Sequence, residues 1–149
     1  MTDAKQLGWE LAQRAAQGAV RHASAIGVRI NVSVLDGGGN PLAFLRMPGA
    51  PLHSISISED KAYTAVSFGV PTSGWESELR SQPDAVRQGL PLRPRFVMFG
   101  GGVPILAGQL VAGAIGVSGA SEQQDEECAM AGLVAAGLLP EHLTMRTKQ

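Results

Sequence analysis

Residues 29–47 read RINVSVLDGGGNPLAFLRM. Polar and apolar side chains alternate from Arg29 to Val34, which is the two-residue period of a strand. Asp36-Gly37-Gly38-Gly39-Asn40 is a run of turn formers, and Leu42 to Met47 resumes an extended apolar pattern. Two strands joined by so short a turn pair antiparallel, because a parallel connection needs a crossover of about a dozen residues or more. The stretch therefore predicts a β-hairpin, with an antiparallel sheet as the framework of the fold.

Working outward, Leu7, Leu11, Ala15, Ala19, Ala23 and Ile26 recur near helical spacing up to Gly27, and Asp3 followed by Gln6 resembles a capping box. A long first helix is expected there. On the other side Pro48, Gly49 and Pro51 break the strand, a second helix fits Ser54 to Phe68, and a short third helix fits Thr72 to Gln82. Prolines at 83, 91 and 94 predict a surface loop over 83–94. Arg95 to Phe99 and Val103 to Ala107 read as short strands, and Gly108-Gln109 as a tight turn into a strand over Leu110 to Ser118. Ser121 with Gln124 opens a last helix that runs to Gly137. Hairpin connections dominate, so the chain is expected to be α+β, an antiparallel sheet with helices packed on it.

A length of 149 residues suits one domain, 1–149. Twelve Lys and Arg against thirteen Asp and Glu, with no block of like charge, argue against nucleic acid as the main partner. No apolar stretch is long enough to span a bilayer and no export signal is visible, so a soluble, cytoplasmic protein is expected. Cys128 is the single cysteine, and His22, His53 and His142 are too far apart for a local metal signature. No metal site is expected. Aromatic residues are 5% of the chain, which points to a core of small side chains completed by self-association into a homo-oligomer.

Two glycine regions invite a ligand. FGGGVPI (99–105) has the glycines of a phosphate loop, but Gly100, Gly101 and Gly102 lead into Val103-Pro104-Ile105, a strand with one amide donor missing. They either turn a corner under a neighbouring backbone or offer amides to a ligand. Gly119-Ala120-Ser121 precedes the capped last helix, where free amides could receive a carboxylate, or where Ser121 caps its own helix.

These stretches carry a resemblance. VSVLDGGGNPLAFLRMPGA (32–50), KAYTA (61–65), FGGGVPI (99–105) and GAIGVSGASEQQDEECAMAGL (113–133) resemble the GlcG/HbpS-like family, also called the haem-degrading domain family. The resemblance implies a profilin-like α+β fold, assembly into dimers or larger oligomers, and one of several roles. Those are haem binding or degradation, glycolate utilisation, corrinoid-related functions, or breakdown of aromatic compounds. The chain departs from common family patterns at Pro48, where many members have Asp, and at His53, where a small residue is usual.

Among the chemical side chains, His53 sits on the loop entering the second helix and His22 at the edge of the first helix's apolar stripe. Arg46, ending the second hairpin strand, could clamp a carboxylate or pair with Asp36 or Glu59. Lys61 could form an imine if desolvated, although a solvated helical lysine is the default. Asp125 and Glu126 lie in the first turns of the last helix; one suits the helix dipole, and the other could move protons if buried beside His or Lys. Cys128 reads as a structural thiol. The leading expectation is a cofactor-independent enzyme acting on a small carboxylated metabolite by imine or enamine hydrolysis, hydration or tautomerisation. Arg46 and the amides of Gly101, Gly102, Gly119, Ala120 and Ser121 would bind, and His53, His22, Lys61, Asp125 and Glu126 would act in catalysis. Haem binding, with His22 or His53 on the iron, is the alternative, and a non-catalytic assembly or regulatory protein the third reading.

Overall fold

The computed structural model describes residues 7–139; the Asp3–Gln6 box and His142 lie outside the described residues. The elements run α1 (Trp9–Ala25), β1 (Asn31–Asp36), β2 (Pro41–Arg46), α2 (His53–Phe68), a 3₁₀ turn (Thr72–Gly74), α3 (Trp75–Arg80), α4 (Asp84–Gly89), a second 3₁₀ turn (Leu90–Leu92), β3 (Gly102–Ala107), β4 (Leu110–Ser118) and α5 (Glu122–Ala135). The fold is α+β.

The hairpin that opens the sequence reading is present. Asp36 Oδ1 accepts from the amides of Gly38 and Asn40, both at 2.9 Å, and Gly39 takes φ +84° to close the turn. β1 and β2 pair antiparallel with Ser33 opposite Phe44, and a bulge after Val34 places Leu35 opposite Pro41. β3 and β4 form the second hairpin, and β1 pairs antiparallel with β4, which gives the strand order β2-β1-β4-β3. α2, lying between the hairpins in sequence, covers one face of the sheet, while α1 and α5 cover the other.

Both faces of β1 are consequently buried. Val32 and Val34 enter the main core with Ile115, Val117 and the alanines of α1. The polar side of the alternation does not meet water: Ser33 Oγ lies 2.9 Å from Ser58 Oγ of α2, and Asn31 Nδ2 donates to the Pro51 carbonyl in the segment before that helix. α1 and α5 touch along a seam of small residues. A Cβ added at Gly18 would lie 2.6 Å from Ala135 Cβ, and one at Gly132 would run into the Ala15 carbonyl.

Two expectations need correction. Residues 83–94 hold α4 and a 3₁₀ turn rather than an open loop; Pro83 precedes α4, and Pro91 sits in a first turn where no amide is required. Arg95 to Phe99 is not a strand. Arg95 takes φ +66°, which breaks extension, and its guanidinium lies 3.6 Å over the Tyr63 ring while Nε donates to Asp60 at 2.9 Å. The backbone of this segment is satisfied by a side chain of α2: Thr64 Oγ1 accepts from the Val97 amide at 3.0 Å and donates to the Arg95 carbonyl at 2.8 Å. Phe96 then packs edge-on against Trp75, 5.0 Å between centroids, and Trp75 against Phe68 at 4.7 Å, so the segment is held by aromatic contacts rather than a ladder.

Candidate functional site

The glycine run, the GVSG turn and the buried face of α2 converge on one lysine. Ser54, Ser58, Lys61, Ala62 and Ala65 form the buried face of α2, and the small residues around Lys61 let that helix lie close to the sheet. The Lys61 side chain extends past the ends of β3 and β4 to α5, which belongs to the opposite layer. Its Nζ donates to the Val117 carbonyl at 2.8 Å and to Asp125 Oδ2 at 3.0 Å. The two side chains are 0% and 3% exposed.

Gly101 and Gly102 make that passage. A Cβ at Gly101, whose φ is +132°, would stand 2.6 Å from Lys61 Nζ, and one at Gly102 would collide with the Lys61 carbonyl. The Gly102 amide donates to Thr72 Oγ1 and the Gly100 amide to Glu122 Oε1. The three glycines thus admit a lysine, and two of their amides are occupied within the fold. The Phe99 ring closes the outer side, 5.0 Å from Nζ.

Gly119-Ala120-Ser121 is likewise taken up internally. The Ala120 amide donates to Asp125 Oδ1 at 2.9 Å, the Ser121 amide to Gln124 Oε1, and Ser121 Oγ accepts from the Gln124 amide in a complete capping box. The carboxylate received by this turn is the chain's own Asp125.

Lys61 is therefore not the solvated lysine that is the default on a helix. Burial pulls its amine below the usual lysine range, opposed by Asp125, and burial raises the Asp125 carboxyl, opposed by Lys61 and the Ala120 amide. Burial, together with the charges of Asp125 and Glu127, pushes the Cys128 thiol up to about 12, an unreactive setting.

The other candidates are dispersed. His22, on α1, bonds Glu127 of α5 through Nε2 and is 31% exposed. His53 is the exposed first residue of α2, in the opposite layer, so the two imidazoles do not share a site. Glu126 is half-buried, with Oε1 enclosed and unpartnered among the described residues. Arg46 pairs with neither Asp36 nor Glu59; its guanidinium donates to the Ala50 carbonyl at 2.8 Å and lines a cleft of about 440 Å³ with Val20, Arg29 and Met47. Of the five side chains expected in catalysis, the fold brings Lys61 and Asp125 together. Phe99, Thr72, Glu122 and Glu127 were not singled out by sequence. Among the described residues no three His, Cys, Asp or Glu side chains are grouped to hold a metal, and no helix is long and apolar enough to cross a membrane.

An antiparallel four-stranded sheet between α2 and an α1–α5 pair, with a lysine passed through a glycine gap, defines an α+β class that comparison places in a family. The model of the family described as Haem degrading protein HbpS-like matches residues 7–134, and the chain belongs to that family. It is 41% identical over 116 residues to an uncharacterized 15.0 kDa protein of the dhaT-dhaS intergenic region of Citrobacter freundii, covering 76% of this chain and 80% of that protein. Among solved structures it is similar to Klebsiella pneumoniae protein ORFY, with a TM-score of 0.80, 33% identity and coverage of 94% of this chain and 99% of that one. It is also similar to the PduOC:heme complex, with a TM-score of 0.79, 31% identity and coverage of 87% and 94%. The corrinoid adenosyltransferase PduO of Citrobacter freundii is 31% identical over 134 residues, which span 89% of this chain and 39% of that enzyme.

Proposed function

We propose that this protein binds haem, with His22 as the axial ligand to the iron. The observation that carries the reading is the His22–Glu127 contact between α1 and α5. A carboxylate bonded to one ring nitrogen fixes the orientation of an imidazole and raises its basicity, which is the support that metal-ligating histidines commonly have. Glu127 holds Nε2 and leaves Nδ1 as the second ring nitrogen, while the ring stays partly exposed. The donor chemistry fits a haem iron. Ile26, which follows the end of α1 with its amide on the His22 carbonyl and is 37% exposed, supplies apolar surface beside it. Membership of the HbpS-like family and the likeness to a structure solved with haem support the same reading. Bound haem would supply iron redox and ligand chemistry; the chain's part is to ligate through His22 and hold that ring through Glu127. Titration with haemin, followed at the Soret band, should saturate for the wild type and for His53→Ala and fail to do so for His22→Ala. An unchanged titration in His22→Ala would remove the assignment.

A second reading, catalysis on a small carboxylated metabolite, rests on one observation: Lys61 is a desolvated amine beside a carboxylate. Its amine would condense with a substrate carbonyl, losing water to form an imine, once the Phe99 ring moves aside. Borohydride added with a 2-oxo acid would reduce that imine to a stable secondary amine, seen as a mass increase on the peptide containing Lys61. No increase would exclude imine chemistry at this residue.

A further inference from the structure

We propose that the cleft between the C-terminal half of α1 and the end of β2 binds a small organic dicarboxylate, with Arg29 and Arg46 as its two cationic contacts. The cleft measures about 440 Å³, and none of Lys61, Asp125, His22 and Glu127 borders it. Val20 of α1 and Leu45, Met47 and Pro48 around the end of β2 give it apolar walls. Met47 is fixed in that wall: its amide donates to the Ile30 carbonyl at 3.0 Å, and its Sδ accepts from the Ile30 amide at 3.4 Å. No acidic residue borders the cleft, so nothing in its lining offsets the two guanidiniums.

One short loop seats both arginines. β2 ends at Arg46, and the chain turns through Pro48-Gly49-Ala50, closed by the Ala50 amide on the Met47 carbonyl at 3.0 Å. The Ala50 carbonyl then accepts from Arg46 Nη2 at 2.8 Å, which leaves the other N–H groups of that planar fork for a ligand. Arg29 lies across Gly49: a Cβ there would overlap its Nη1 and stand 2.9 Å from its Cδ. Gly49 takes φ +95°, so the loop carries at this point the one residue type that both adopts the turn and leaves the space open. Both arginines are exposed, and among the described residues neither pairs with a carboxylate.

The ligand class follows from this lining. A guanidinium fork matches a carboxylate through two parallel hydrogen bonds, and two forks seated by one loop call for two carboxylates on one molecule. Exposed charges are screened by salt, so the apolar walls matter: a hydrocarbon body resting on Val20, Leu45 and Met47 adds burial that an inorganic anion cannot. Seating the arginines before the ligand arrives reduces the conformational freedom lost on binding. The site is also separate from the proposed haem ligand. Val20 and Ser24, one turn apart on α1, face the cleft, whereas His22 projects to Glu127 of α5.

Isothermal titration calorimetry of the full chain with phthalate, isophthalate and terephthalate tests the proposal, because the three share a ring and differ in the spacing of their carboxylates. At least one should bind saturably with a Kd below about 1 mM. It should bind at least about tenfold more tightly than benzoate or inorganic phosphate, a comparison made on the wild type and so independent of how any variant folds. Arg29→Met and Arg46→Met should each weaken it by about tenfold or more with an unchanged far-UV circular dichroism spectrum, and His22→Ala should leave it unchanged. Failure of all three dicarboxylates to saturate, or benzoate or phosphate binding as tightly as the best of them, would overturn the proposal. So would an affinity indifferent to either arginine substitution or lost in His22→Ala.

Discussion

Lys61 carries the most consequence of any single residue. Removing one partner from a buried ion pair leaves a lone charge where water cannot reach it, at a cost of about 3–5 kcal/mol. Lys61→Met should therefore lower unfolding free energy by roughly that amount in urea denaturation. Lys61→Met/Asp125→Asn should be more stable than Lys61→Met alone, because asparagine keeps an acceptor for the Ala120 amide without a charge. The pH dependence has a definite sign. Burial already holds the Asp125 carboxyl above its usual range, and loss of the opposing lysine raises it further. A folded-state value above the unfolded one gives stability that is present at low pH and lost as pH rises through the folded value. Lys61→Met should thus be penalised more at pH 8 than at pH 4; an equal loss at both would mean that burial does not hold the Asp125 carboxyl above its unfolded value in the variant. Little of this was legible in the sequence. The sequence reading places Lys61 on the second helix but takes a solvated lysine as the default; the buried stripe of small residues it shares, Ser58, Ala62 and Ala65, emerges with the packing of α2 on the sheet. Its partner, 64 residues away, is named there only as one of two carboxylates, Asp125 or Glu126, that could be buried beside a His or Lys.

At the level of elements, the α1–α5 seam is set by glycines whose missing side chains are occupied by the facing helix. Gly132→Ala would drive a methyl into the Ala15 carbonyl and to 3.1 Å from Ile115 Cδ1. We expect it to destabilise by about 1–3 kcal/mol, the usual cost of overpacking, even though alanine favours a helix by about 1 kcal/mol. Gly89→Ala, at the end of α4 with open space around the added carbon, should instead gain roughly 0.5–1 kcal/mol. Thermal melts of the two variants separate a packing glycine from an incidental one. The element that sequence misassigned, Arg95 to Phe99, shows the limit of local pattern: five residues of extended-looking composition found their hydrogen bonds on Thr64 rather than on a neighbouring strand. The capping box at Ser121 and Gln124 was legible because both of its partners lie within one turn.

For the whole molecule, hairpin periodicity, turn residues and capping signals are local, and they determined the α+β class, the two hairpins and the three long helices. The glycine run was recognised as unsuited to phosphate because Pro104 and the following strand deny it a helix N-terminus. Tertiary structure decided the rest. It turned the polar side of β1 from solvent toward α2, put His22 and His53 in different layers, and gave the turn amides to Asp125 and Gln124 rather than to a ligand. It also joined Lys61 to Asp125 through the gap left by Gly101 and, among the described residues, left β2 with no strand on its outer side. The reason is one of range: backbone preference and periodicity act over a few residues, whereas burial, a counter-charge and an open sheet edge exist only once distant segments have packed.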